Sequence, residues 1–185
     1  MTLVEILVAL VMMGIIITGI YNVFRVHNLM AARQEETTRM QQELLSALVD
    51  MSEELRMCGF SASGGGTFGF IALDNDRGTN ATSIYCTRGL SQLNNSTRDI
   101  AYTRNASNND LLVFDTNLGW VTAANNISDL RFRYFDINGD ETATMSRIRM
   151  IEINATAIAS PERTALRIND RNMHTRVWMR NLGIN

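Results

Sequence analysis

An α+β fold is expected, with one long N-terminal helix packed on an antiparallel β-sheet head. Two observations predict it. Residues 1–58 contain no proline and place apolar residues at helical spacing. Past the flexible stretch Ser61-Ala62-Ser63-Gly64-Gly65-Gly66, the apolar period changes to two, and Asn/Gly/Asp-rich loops separate the runs. The length fits one domain of ~150 residues plus a membrane helix.

The first element divides in two. Residues 1–24 read MTLVEILVALVMMGIIITGIYNVF, with no charged side chain between Glu5 and Arg25. The uncharged run from Ile6 to Phe24 suits a hydrocarbon core of ~30 Å at ~1.5 Å per residue. A lone carboxylate at the apolar entry is costly in lipid and marks function. Gly14 and Gly19 are the weak points, since each glycine costs about 1 kcal/mol relative to alanine in a helix.

Residues 25–60 continue as an amphipathic helix. Val26, Met30, Thr37, Met40, Leu44, Leu48, Met51, Leu55 and Cys58 form one stripe expected to pack on the head. Arg33, Glu35, Glu36, Arg39, Glu43, Asp50, Glu53 and Glu54 fall on the other faces. Gly59 is the expected helix stop.

Residues 61–185 form the expected head. Its candidate strands are Phe68–Leu73, Thr82–Cys86, Ile100–Thr103, Leu111–Asp115, Leu130–Phe135, Ile148–Ala157, Thr164–Ile168 and Thr175–Met179. Leu130, Phe132 and Tyr134 alternate with Arg131 and Arg133, which gives one face to the core and one to water.

The run Thr2-Leu3-Val4-Glu5-Ile6-Leu7-Val8-Ala9-Leu10 resembles the N-terminus of mature type IV pilins and of type II secretion pseudopilins. Two positions depart from the usual pattern: Met1 stands where the family begins with Phe, and Asn22 where many members carry Pro. Weaker likenesses to W-type minor pilins and J-type pseudopilins lie in Glu54-Leu55-Arg56-Met57-Cys58-Gly59-Phe60, Leu130-Arg131-Phe132-Arg133-Tyr134 and Arg149-Met150-Ile151-Glu152-Ile153. So does Asn109-Asp110-Leu111-Leu112-Val113.

The resemblance implies a mature product of leader cleavage that starts at an N-methylated Met1. It also implies storage in a bacterial inner membrane and assembly into an extracellular pilus or a periplasmic pseudopilus, with roles in adhesion, motility or secretion. Partners would be copies of the chain or other pilins, the prepilin peptidase and the inner-membrane assembly machinery. Glu5 would neutralise the α-amino group of a neighbouring subunit's Met1. The rival reading is a membrane-anchored extracytoplasmic binding domain that never polymerises.

The two cysteines, Cys58 and Cys86, are an even pair in a chain read as exported, so a disulfide is expected. Neither His27 nor His174 lies near a cysteine in sequence, which argues against a catalytic thiol. No Cys follows Cys86, so the C-terminal disulfide loop usual in major pilins has no counterpart.

No motif for a catalytic nucleophile, a phosphate loop or a metal emerges, and neither enzymatic activity nor a cofactor is expected. The segment Asp136-Ile137-Asn138-Gly139-Asp140 begins like a calcium loop, but Arg147 occupies the position where a bidentate Glu is needed. A turn around Asn138-Gly139 is the preferred reading.

The net charge of −2 predicts no nucleic-acid partner. All seventeen basic residues are Arg. Arg131, Arg133, Arg147, Arg149, Arg176 and Arg180 read as a solvated face paired with Asp129, Asp136, Glu152 and Asp170 rather than as a binding patch. Tyr21, Phe24 and Phe60 read as packing residues, not as a conduction path.

Overall fold

In the computed structural model, residues 2–59, 79–89 and 97–179 are described. The layout is α+β and pilin-like: a single helix, α1 (Leu3–Arg56), packs its second half on antiparallel sheets. The 54 residues of α1 are unbroken, because no proline removes a backbone donor. At 1.5 Å per residue the helix is ~80 Å long.

The helix ends at Arg56, with Met57 as its C-cap. Gly59 adopts φ 76°, a left-handed conformation that favours glycine, and donates its N–H to Thr87 O at 3.0 Å. The Cys58–Cys86 disulfide sits beside this bond and fastens the helix end to β1, with Cα atoms 5.7 Å apart.

Among the described residues the head holds two sheets. The first orders β1 (Ser83–Gly89), β2 (Thr97–Asn105), β3 (Asp110–Asp115) and β4 (Gly119–Ala124) in sequence. The second orders β5 (Ile127–Phe135), β6 (Met150–Ala157) and β7 (Arg171–Trp178). The sheets meet where Phe132 donates its N–H to Ala81 O at 2.9 Å and Ile127 to Asn109 O at 2.6 Å.

Two strand expectations need correction. Thr164–Ile168 is not a strand, for Pro161–Leu166 forms a 3-10 helix. Pro161 at its start has φ preset for a helical turn, and that signal outweighs the short alternation after it. Strand β4 is not among the candidate strands. Its Gly119 and alanine-rich end have low strand propensity, but Phe114 and Trp120 pack edge-to-face at 5.5 Å and hold it to β3. The expected strand Phe68–Leu73 and the glycine-rich connection lie outside the described residues.

Met40, Leu44, Leu48, Met51 and Leu55 lie on one face of α1 and are buried against the head. Leu130, Phe132, Ile151, Ile153 and Val177 form part of the same core. Each fully buried Leu or Ile contributes about 1.5–3 kcal/mol from transfer out of water.

The buried stripe begins later than its sequence pattern suggests. Val26 and Met30 are 50% and 56% exposed, since α1 reaches the head only at Glu36. That residue, grouped by sequence with the solvent-facing charges, is only 3% exposed. Its carboxylate accepts the Ser160 N–H at 3.0 Å, with Arg163 at 3.9 Å. The Ser160 bond holds the Glu36 carboxyl below the ordinary carboxylate range, with Arg163 adding to the effect against the cost of burial.

A second polar tie binds α1 to the first sheet. Tyr102 donates its hydroxyl to Glu54 Oε2 at 2.8 Å, and Arg98 pairs with Glu54 Oε1 at 3.0 Å. Burial, and then the Glu54 charge, push the Tyr102 hydroxyl pKa up, so it stays a donor at any physiological pH.

Candidate assembly surface on the N-terminal helix

Among the described residues, the first half of α1 touches nothing in the head. Every residue from Leu3 to Phe24 is exposed, including Leu3, Val11, Ile15, Ile20, Tyr21 and Phe24. The helix is long and apolar enough to cross a membrane. Tyr21 and Phe24 are therefore not packed in this chain's own core, which corrects the packing reading for both; Phe60 lies outside the described residues.

At its tip Glu5 has a local partner that sequence reading missed. Thr2 is the N-cap, extended at φ −90° and ψ 151°. The Thr2 N–H donates to Glu5 Oε2 at 2.9 Å, and the Glu5 N–H approaches Thr2 Oγ1 at 3.4 Å. This is a capping box, signalled by the Thr-x-x-Glu spacing. It satisfies donors that a helix start otherwise leaves open, and it places negative charge at the positive end of the helix dipole. Met1, the expected site of subunit pairing and methylation, lies outside the described residues.

Gly14 and Gly19 are helical, and a side chain at either would meet nothing within 4 Å. Thr18 donates its hydroxyl to Gly14 O at 2.8 Å, a back-bond of the type that bends helices. The helix is continuous through both glycines.

Of the expected arginine face, Arg131, Arg133 and Arg176 are ion-paired. Arg131 meets Asp129 at 3.0 Å, Arg133 meets Glu141 at 2.9 Å and Glu152 at 3.3 Å, and Arg176 meets Glu152 at 2.7 Å. Arg133 and Arg176 also cover the Phe135 ring, at 5.3 and 5.8 Å from its centre. Glu141 was not foreseen as a partner; the turn that brings it back to Phe135 supplies it. Asp136 spends its carboxylate on backbone N–H groups and Arg149 donates to the carbonyls of Ser146 and Ile148. Arg180 lies outside the described residues.

The Asp136–Asp140 segment is a turn. Asp136 Oδ1 accepts the N–H groups of Asn138 and Asp140 at 2.8 and 3.1 Å, and Gly139 takes φ 87°. Asp136 Oδ1 thus serves the backbone. Among the described residues no cluster of three His, Cys, Asp or Glu side chains is placed to hold a metal ion.

No protein-family model matches this chain, and no curated protein matches it.

Proposed function

We propose that this chain is a structural subunit of a type IV pilus-like filament, either a surface pilus or a secretion pseudopilus. The observation that supports the reading most is the state of residues 6–24. They form an uncharged helix with no partner among the described residues of the head and one carboxylate, Glu5, at its entry. Apolar surface of that extent needs lipid or other protein.

Assembly is then a transfer between two apolar environments. Before it, α1 sits in the inner membrane, where its unbroken helix satisfies the backbone. After it, the same half packs among the helices of other copies. There a Met1 α-amino group, cationic near neutral pH, would be buried without a counter-charge. Glu5 of a neighbour supplies one, and removing one partner of such a buried pair costs roughly 3–5 kcal/mol.

In this mechanism the capping box is the resting arrangement. The Thr2 N–H holds the Glu5 carboxylate at the helix tip, close to where a neighbour's amine would arrive. No catalysis is required, and none is assigned. Partners are further copies or other pilins, the leader peptidase and the inner-membrane machinery.

The capping box also favours a second reading, an anchored domain that never polymerises, because Glu5 is satisfied within its own chain. Electron microscopy of filaments sheared from the surface or released from the periplasm of cells producing the chain separates the two. Filaments containing residues 1–24 support the subunit reading, and a chain that stays in the membrane fraction without filaments contradicts it.

A further inference from the structure

Among the described residues, the second sheet ends one strand short of covering α1. Strand β7 pairs with β6 in regular register along its eight residues, with no bulge, and has no strand on its other side. Met179 extends this ladder by donating its N–H to Arg149 O at 2.9 Å. Hydrogen-bonded pairs alternate along an antiparallel ladder. That bond therefore turns the backbone groups of Arg171, Met173, Thr175 and Val177 toward β6. It leaves the N–H and C=O groups of Asn172, His174, Arg176 and Trp178 at the free edge.

The flank of α1 beside this edge is open as well. A groove of about 480 Å³ lies between Thr38, Gln41 and Leu45 on α1 and Arg171 and Met173 on β7. Leu45 is 52% exposed, and Val49, one turn further along the same flank, is 44% exposed. In the groove wall Arg171 Nε is buried and has no hydrogen-bond partner. A buried donor left open is costly, and an incoming acceptor relieves that cost.

We infer that β7 is a docking edge for an extended segment of another protein, which adds to the sheet as a further strand. The edge, the flank and the open donor together define that segment. Its backbone pairs with the four open residues of β7, so it carries no proline at the paired positions. Every second side chain is apolar and covers Leu45, Val49 and Met173. An Asp or Glu stands opposite Arg171. The arginine also gives selectivity, because an inward-pointing charge deters purely apolar strands while a carboxylate satisfies it. A lipid surface would leave the row of backbone groups unpaired. The inference does not depend on the filament reading, since an anchored domain would present the same edge.

The test uses the full chain in detergent and the peptide Thr-Val-Thr-Val-Thr-Val-Thr-Glu. Added antiparallel, this peptide sets its valines on one face and its glutamate opposite Arg171. Hydrogen exchange resolved by residue should show the His174 and Arg176 amides open in the chain alone and the Thr175 and Val177 amides protected. The peptide should bind and slow exchange at His174 and Arg176. His174→Pro removes only an outward donor, which an edge strand tolerates, and should weaken binding about tenfold, the order of one hydrogen bond. Leu45→Asp on the exposed flank of α1, and Lys in place of the peptide's Glu, should weaken it at least as much. If His174→Pro fails to fold, Leu45→Asp decides. Absence of binding overturns the inference, and so does binding undiminished by these changes. Protection of His174 and Arg176 without peptide also overturns it: if independent of concentration, the chain covers its own edge, and if it rises with concentration, a second copy does.

Discussion

Glu36, in the middle of α1, accepts the backbone N–H of Ser160 at 3.0 Å across a separation of 124 residues. This bond fixes where the helix first touches the head. Replacing Glu36 by alanine leaves the Ser160 donor open and should destabilise the head by about 1–3 kcal/mol. Chemical unfolding of the full chain in detergent measures it, and a change within experimental error would remove the role.

The same carboxylate sets a pH dependence. Glu36 is held below its ordinary pKa by the Ser160 bond, and Glu152 by the Arg176 bond, with Arg133 adding to it. A depressed carboxylate contributes stability that is complete above its unfolded value, about 4.3 for Glu, and is lost as pH falls through the folded one. The melting temperature should be flat from neutral pH down to about 5 and fall below it. Glu36→Gln should flatten that fall. An unchanged acid slope in the variant would contradict the assignment.

The Cys58–Cys86 bridge closes a loop of 28 residues in sequence separation. The chain-entropy model gives it about 3.5 kcal/mol. Cys86→Ala, or reduction, should lower stability by that order in chemical unfolding. The native chain should take up no alkylating reagent until reduced, and stoichiometric labelling without reductant would refute the bridge.

Much of this layout was legible in the sequence because its signals are periodic and long. The uncharged run, the absence of proline and the switch to period two set the helix, its length and the sheet-forming head. The exceptions have local physical causes. Glu36 is a charged residue whose burial depends on a backbone donor 124 positions away, which no window of α1 reveals. Strand β4 has weak propensity and is held by the Phe114–Trp120 contact. Val26 and Met30 keep the helical spacing but lie beyond the reach of the head. At the candidate site, Thr-x-x-Glu carried a readable capping signal that the charge of Glu5 overshadowed.

Adjacent leucines on α1 should behave oppositely. Leu44 is fully buried and Leu45 is 52% exposed. Leu44→Ala should cost about 2.7–5 kcal/mol in the head. Leu45→Ala should stay within about 0.5 kcal/mol in the isolated chain. Unfolding measurements on both decide it, and equal losses would contradict the placement of α1 on the head.

Glu5 has two roles to separate. Glu5→Ala removes both the capping oxygen and the charge, while Glu5→Gln keeps an oxygen able to cap but loses the charge. Both variants should still insert in the membrane, since removing a charge makes the helix more lipid-compatible. Both should fail to enter filaments. Normal filament yield from Glu5→Gln would show that capping alone suffices and would sink the charge-pairing role.

The most direct test of the polymer account is a helical reconstruction, by electron cryomicroscopy, of filaments purified from cells producing the full chain. The account predicts residues 6–24 at the filament axis, Glu5 within hydrogen-bond reach of another copy's Met1 amine, and a distorted or non-helical stretch between about Gly14 and Val23, where glycine makes loss of helix cheapest. An unbroken helix from Leu3 to Arg56 in the filament would contradict the local melting. Absence of any contact between copies through residues 1–24 would contradict the account as a whole.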